Sequence, residues 1–385
     1  MYIEGCEGQQ NAFKVAERSY KAVTTLEGAL ELGAIDFPSD GDIDEISVTH
    51  YKRTLLGREV TVYGLHAYPG LYVIKDSLSR RAQVELAYHS LSESLSAPNR
   101  TNLHCHNISE EMREVLESNL GIWNFDGPKL DKEEYIRIDP ARVGKKNQAK
   151  NRLPLGSTLS KVRWATLGYQ YNWTERSYSP DRHVSIPLQL RGLASVIAET
   201  CCQSIVPEAG IVNFYPEGQV MGGHRDDGEE ARENPVVSVS IGSPCVFLLG
   251  GHSKDEAPTA LILRSGDTIL LAGDTRLRYH GVSKVFVDAV GPPACLHPST
   301  YREQTVHKAG CPQFLGVGVA EEDSVLPPAG INSNNKRARE SMGACTCQGV
   351  AAVEVLRALK VLACCRINVN LRQVYCSRGK GGALT

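Results

Sequence analysis

The sequence predicts an α+β protein in which a sandwich or jelly roll of short strands is flanked by N-terminal helices. Three observations predict it. Phe13, Ala16, Tyr20 and Val23 recur at helical spacing near the start of the chain. From Gly210 onward, short β-rich runs alternate with Gly-containing turns, the texture of an antiparallel sandwich or roll. A late run, residues 366–374, opens with strict alternation of polar and apolar side chains.

Residues 11–33 and 77–120 read as helical, with short strands at 60–63 and 71–74 around Pro69-Gly70. Residues 1–125 are therefore expected to form a helical N-terminal extension packed on the core. The segment 126–160 is polar, basic and aperiodic, and reads as a basic loop. A helix at 189–204 places Leu193, Ile197 and Cys201 on one face. Beyond it, Val237, Val239 and Ile241 alternate with Ser238 and Ser240. The runs 246–249, 260–263 and 268–271 each lead into a glycine turn. Pro, Gly, Ser and Asn crowd residues 287–347, which read as a flexible insertion. Within it the cluster Lys336-Arg337-Ala338-Arg339 reads as a solvated tail ahead of a nuclear address. A helix at 349–363 precedes the final strand, so the core domain comprises 161–286 and 348–376.

At 385 residues the chain can bury a full core, and 42% hydrophobic with 22% charged residues is the composition of an ordinary globular protein. No run approaches the roughly 18–20 apolar residues of a membrane span, so no membrane partner is expected. The N-terminus has neither the pattern of a secretory signal nor an Arg-rich amphipathic face. The 12 cysteines are scattered, with vicinal pairs that make poor disulfides and no paired C-x-x-C spacing. They read as reduced thiols of a nuclear or cytoplasmic protein, with the mitochondrion as an alternative for which no clear transit peptide is present, and a monomer is expected. His104-Cys105-His106 reads as a surface accident.

A net charge of −2 gives no whole-chain attraction for nucleic acid. Locally the balance differs. Residues 141–163 hold Arg142, Lys145, Lys146, Lys150, Arg152, Lys161 and Arg163 and no acidic residue. A solvated loop and a phosphate-contacting arm account for this run equally well.

Residues two apart on a strand share a face, so His224 and Asp226 can present an imidazole and a carboxylate to one point while Asp227 faces away. His280, beyond a glycine hairpin, is the natural third ligand. Two histidines and one carboxylate leave coordination positions open and suit non-haem Fe(II). On the late strand Arg366, Asn368, Asn370 and Arg372 share one face. An exposed amphipathic strand has that pattern, and so does a strand lining a polar pocket, where a buried guanidinium demands an anion. A dicarboxylate would satisfy both the arginines and the open metal positions. Tyr169, Tyr171, Trp173 and Tyr178 form the densest aromatic stretch, directly after the basic loop. Core packing and base stacking both suit them.

On these residues the sequence resembles the AlkB family of Fe(II)/2-oxoglutarate-dependent dioxygenases. The family's His-x-Asp…His is matched by His224, Asp226 and His280, and its late Arg-x-Asn-x-x-x-Arg by Arg366, Asn368 and Arg372. Asn213-Phe214-Tyr215 stands where the family has two further cosubstrate contacts. The stretches 163–173, 250–259 and 265–267 are similar to the branch of the first AlkB homologue of animals. The resemblance implies a double-stranded β-helix (jelly roll) with flanking helices. It implies Fe(II), 2-oxoglutarate and O2 as metal and cosubstrates, with Asn213, Tyr215, Arg366 and Asn368 holding 2-oxoglutarate and Arg372 steadying Asp226. It further implies oxidative demethylation or hydroxylation of a methylated base in tRNA or DNA, releasing formaldehyde, succinate and CO2. Tyr169, Tyr171, Trp173 and Tyr178 would then stack on the base, and Lys145, Lys146 and Lys150 would contact phosphate. The alternatives are a dioxygenase of protein methyl-lysine and a catalytically silent nucleic-acid-binding barrel. The gap from His280 to Arg366 is longer than the family's, on account of residues 287–347.

Overall fold

The computed structural model describes residues 11–39, 48–96, 98–105, 135–137, 152–154, 162–172, 175–216, 218–287, 306–309, 311, 313–317 and 352–376. Two helices come first, α1 (Ala12–Ala22) and α2 (Leu26–Glu31), followed by strands β1 (Val48–Leu55), β2 (Arg58–Leu65) and β3 (Leu71–Ile74). Helix α3 (Arg80–Leu91) leads to two short strands, β4 (Tyr135–Arg137) and β5 (Arg152–Pro154), which pair with each other. The hairpin β6 (Trp164–Asn172) and β7 (Ser177–His183) precedes helix α4 (Leu188–Thr200). Then come β8 (Ala209–Pro216), β9 (Met221–His224), β10 (Val236–Gly242), β11 (Cys245–Leu249), β12 (Thr259–Leu263), β13 (Thr268–Leu271) and β14 (His280–Val285). Helix α5 (Ala352–Cys364) runs into β15 (Cys365–Arg372).

Two sheets face each other. The larger has nine strands in the order β1-β2-β3-β13-β10-β15-β8-β6-β7, and the smaller has four in the order β12-β11-β14-β9. Their facing sides enclose an apolar core that includes Tyr63, Val73, Phe247, Leu261 and Ile269. The outer side of the large sheet packs Val212, Val237, Val239, Ile367 and Val369 against the buried faces of α3, α4 and α5. The outer side of the small sheet packs Val246, Leu248 and Ile262 against Phe13, Tyr20, Leu26 and Ala29 of α1 and α2. This is the expected jelly roll with helices on both flanks.

Alternation along β15 generates the site. Ile367, Val369 and Leu371 point toward the helices, whereas Arg366, Asn368, Asn370 and Arg372 point between the sheets. Register then aligns the polar rows: Asn368 lies opposite Asn213 on β8 and Ser240 on β10, and Arg366 opposite Tyr215.

Several elements depart from the sequence reading. The helix expected over 11–33 is broken, because Thr25 leaves helical geometry and caps α2 by accepting from the Gly28 N–H at 3.1 Å. The extension 1–125 is only partly helical, since β1–β3 join the large sheet through β3 and β13. Lys75 and Asp267 fasten that joint with a buried ion pair of 2.6 Å. The segment read as a flexible insertion, 287–347, contributes packed core: Val306, Cys311, Phe314, Leu315 and Val317 are buried against α3 and α4. Glu85 of α3 holds it there, its carboxylate accepting from the backbone N–H groups of His307 at 3.0 Å and Leu315 at 2.7 Å. The basic cluster 336–339 and the basic loop's Lys145, Lys146 and Lys150 lie outside the described residues, as does Trp173.

Candidate metal centre and its two cavities

His224 ends β9 and His280 begins β14, and the two residues are directly paired across the sheet. Their rings lie 4.5 Å apart between centroids. Asp226 reaches the same point from the irregular chain after β9, with Nε2 of each histidine 3.9 Å from one of its oxygens. One ligand atom from each of the three residues lies within 4.8 Å of the others, the only such group among the described residues. Strand alternation is not what aims Asp226, because β9 has already ended. Arg276 fixes its main chain, donating from Nη1 to the Asp226 carbonyl at 2.6 Å, while Arg372 Nη1 sits 3.3 Å from its Oδ1. Asp227 turns outward to Arg176, at 2.7 Å.

The protonation states suit a divalent ion. Burial pushes the Asp226 carboxyl up, but Arg372, with His280, His224 and Arg276, outweighs it and holds the group well below the usual carboxylate range. Burial, helped by the His224 charge and opposed by Asp226, takes His280 down to about 4, so its imidazole is neutral. Each histidine donates Nδ1–H to a backbone carbonyl, His224 to Gly222 at 3.0 Å and His280 to Arg278 at 3.1 Å. Both Nε2 lone pairs are thereby left facing the common point, the tautomer that metal ligation requires.

Two cavities meet at this triad. The first lies between the sheets and is lined by Tyr215, Ser238, Arg366, Asn368 and both histidines. Arg366 is 1% exposed and donates from Nη2 to Ser240 Oγ at 2.8 Å, while its Nε and Nη1 have no partner among the described residues. A buried guanidinium with two idle donors suits a carboxylate. Asn368 is held by Ser238 Oγ at 2.9 Å and the Val239 carbonyl at 3.0 Å. The donor set and the idle arginine therefore fit Fe(II) beside a dicarboxylate.

The second cavity opens beside His224 and Asp226 and is lined by Tyr171, Arg176, Tyr178, Arg225 and Asp227. Asn213 lines this cavity rather than the first, and its buried Oδ1 is unpartnered among the described residues. Tyr171 and Tyr178 pack edge to face at 5.0 Å. Tyr169 does not line the cavity. Beyond Gly168, whose φ of +69° turns the strand, its ring sits edge-on to His183 at 4.6 Å and Tyr375 at 4.9 Å.

Sequence reasoning missed the buried network behind Asp226. Glu229 is 2% exposed and accepts from Arg372 Nη1 at 2.8 Å, Arg276 Nη2 at 3.0 Å and Tyr178 Oη at 2.8 Å. Burial raises the Glu229 carboxyl, yet Arg372 and Arg276 bring it below its ordinary value. A carboxylate three residues after Asp226 in a run otherwise rich in turn residues was the available signal, and Arg276 had none.

Comparison with known proteins agrees with this geometry. Residues 70–372 match the model of the 2OG-Fe(II) oxygenase superfamily. Nucleic acid dioxygenase ALKBH1 of Mus musculus is 31% identical over 313 residues, covering 75% of this chain and 74% of its own. DNA N(6)-methyladenine demethylase ALKBH1A of Arabidopsis thaliana is 35% identical over 230 residues, 58% of this chain and 66% of its own. tRNA demethylase abh1 of Schizosaccharomyces pombe is 29% identical over 290 residues, 74% of this chain and 88% of its own.

Proposed function

The chain belongs to the 2OG-Fe(II) oxygenase superfamily, and from that premise we propose that it oxidatively demethylates an N-methylated base in nucleic acid, tRNA or DNA. The observation that carries the reading is the pair of cavities meeting at one triad. One offers an idle buried guanidinium for 2-oxoglutarate, and the other offers tyrosine faces and arginines to a second molecule. Three relatives bear names that place them on nucleic acids, which supports this substrate class.

His224, Asp226 and His280 would hold Fe(II), and Arg366 would pair with the distal carboxylate of 2-oxoglutarate beside Asn368 and Tyr215. Bound iron, with O2 and 2-oxoglutarate, supplies oxidation of a methyl carbon coupled to release of succinate and CO2. The chain's own residues do the positioning. Neutral His280 keeps its lone pair toward the ion, and Arg372 keeps Asp226 ionised and aimed. Tyr171 and Tyr178 offer ring faces to an extruded base, and Arg176 and Arg225 supply cations at the rim for its phosphates. Asn213, with its idle Oδ1, lies in that cavity and is a base-edge contact in this reading. Hydroxylation of an N-methyl group yields a carbinolamine that releases formaldehyde and the free base. The proposed location is the nucleus or cytoplasm, where thiols such as buried Cys245 and Cys365 persist unpaired.

Formaldehyde release from methylated tRNA, methylated DNA and a methyl-lysine peptide tests the substrate class directly. Turnover on the peptide alone would overturn it. Binding of a methylated RNA hairpin across a salt series tests the basic loop. Neutralising Lys145, Lys146 and Lys150 together should flatten the slope of log affinity against log salt by about 2. Unchanged slopes would remove the loop from the interface.

A further inference from the structure

We propose that α1 braces the metal centre, with Glu17 and Phe13 as positioning residues that hold His224 where it binds the ion. The inference rests on the reading of His224, Asp226 and His280 as ligands.

The strand that carries His224 is poorly secured by its own sheet. β9 has four residues, lies at the edge of the small sheet and, among the described residues, pairs only with β14. That pairing changes register between His280 and Val282. Gly222 and Gly223 immediately precede the ligand, and two glycines leave the backbone more freedom than any other pair. A short, glycine-bearing edge strand is a weak mount for a metal ligand.

Helix α1 supplies what the sheet lacks. Glu17, with its side chain 12% exposed, accepts the Gly223 N–H on Oε1 at 2.6 Å, while Lys14 holds its other oxygen at 2.7 Å. The bond lands on the residue next to His224. Phe13, 1% exposed, packs one ring edge against the same glycine: a Cβ at Gly223 would come within 2.5 Å of the ring. The opposite edge of the same ring abuts Gly250, where a Cβ would approach within 2.8 Å. Gly250 in turn donates its N–H to the Tyr279 carbonyl at 2.7 Å, beside His280. One helix face therefore presses on the backbone next to both histidines, and the two glycines are the residues that admit it. The Phe13 N–H donates to the Lys254 carbonyl at 2.9 Å, anchoring the start of α1 to the loop after Gly250.

Without the brace β9 would sample positions in which His224 is misplaced. Apparent metal affinity falls in proportion to the fraction of molecules with the ligand in place. A role confined to folding would instead lower stability and leave affinity for the ion unchanged.

Mn(II) titration of the metal-free full chain by calorimetry, without O2, separates the two. Glu17→Ala is expected to bind Mn(II) about tenfold more weakly, from loss of a charge-assisted hydrogen bond. Glu17→Gln should stay within about twofold of wild type, because its amide oxygen accepts the same N–H. Gly223→Ala should also weaken Mn(II) binding, and adding Phe13→Leu should restore part of the loss. Wild-type affinity in Glu17→Ala, or strictly additive losses in the Gly223 and Phe13 pair, would overturn the brace. Asp226→Ala is the control for the underlying reading. If that variant binds Mn(II) as wild type does, the ligand assignment falls and the brace with it. If it loses binding while Glu17→Ala keeps it, the brace alone falls.

Discussion

Replacing Arg366 with Met separates what this residue does for the fold from what it does for the cosubstrate. Its guanidinium is 1% exposed and bonded only to Ser240 Oγ among the described residues, with Nε and Nη1 idle. A buried cation with unfilled donors costs stability, and an apolar side chain of similar reach is often neutral or stabilising in its place. Without 2-oxoglutarate, Arg366→Met should therefore unfold no more readily than wild type. With the cosubstrate present the order reverses. At a concentration of 100 Kd, wild type should gain about 2.7 kcal/mol. Truncating one partner of a buried charge pair costs about 2–5 kcal/mol, which raises Kd about thirtyfold or more. At the same concentration the variant would then gain at most about 0.9 kcal/mol. Urea unfolding of the Mn(II)-loaded protein without O2, with and without 2-oxoglutarate, measures both quantities. A variant that keeps the full wild-type gain would refute the assignment of Arg366. So would one that is several kcal/mol less stable before any cosubstrate is added.

Asp226→Ala should abolish Mn(II) binding in calorimetry, whereas Asp227→Ala should leave metal and 2-oxoglutarate binding intact. Because its partner Arg176 is largely exposed, Asp227→Ala should weaken substrate binding only slightly, visible as a slightly raised KM with kcat unchanged. The third prediction concerns Glu85, which burial raises to about 7 against the lowering effect of its bonds to His307 and Leu315 and of the Arg81 charge. Between an unfolded value near 4.5 and the folded one, the native state binds a proton that the unfolded chain has released, so Glu85 makes stability fall as pH rises. Relative to Glu85→Gln, wild type should lose about 3 kcal/mol between pH 4 and pH 8 in denaturant titrations, and parallel pH profiles would contradict this.

The site was more legible than the fold around it, for physical reasons. A metal needs ligands of fixed chemistry at close range, and His224, Asp226 and His280, marked out by type and spacing, are brought within 4.8 Å of one another. β15 shows its alternation because one face meets helices and the other a polar pocket. The alternation argument nevertheless reached Asp226 by the wrong route. The strand stops at His224, and Arg276 and Arg372 do the aiming, which no local pattern encodes. β6 was invisible as a strand because Ala165, Thr166, Leu167 and Gly168 are covered in succession and no polar face marks a period. Tyr169 and Tyr171 share a parity and both pack against the cluster of Tyr178, Ala209 and Val374, yet only Tyr171 lines the cavity. In residues 306–317 a few apolar side chains fill the space beside α3 and α4, and a composition averaged over 287–347 conceals them.

The position of β15 carries a consequence for how the molecule comes into being. It follows every other described strand in the chain and yet lies inside the large sheet, bonded to β10 on one side and β8 on the other. During synthesis, all earlier strands can emerge while the sheet remains two unjoined pieces, β1-β2-β3-β13-β10 and β8-β6-β7. Their facing edges are open ladders of N–H and C=O groups, the kind of surface on which nascent chains aggregate. Closure comes only when residues 365–372 are released, and the same eight residues bring Arg366, Asn368 and Arg372. The keystone of the sheet and the residues proposed to hold the cosubstrate thus arrive in one event. A ribosome-bound chain stalled before residue 365 should be both unjoined and unable to respond to 2-oxoglutarate, and supplying the dicarboxylate to cells should raise the yield of folded protein only after that point in translation.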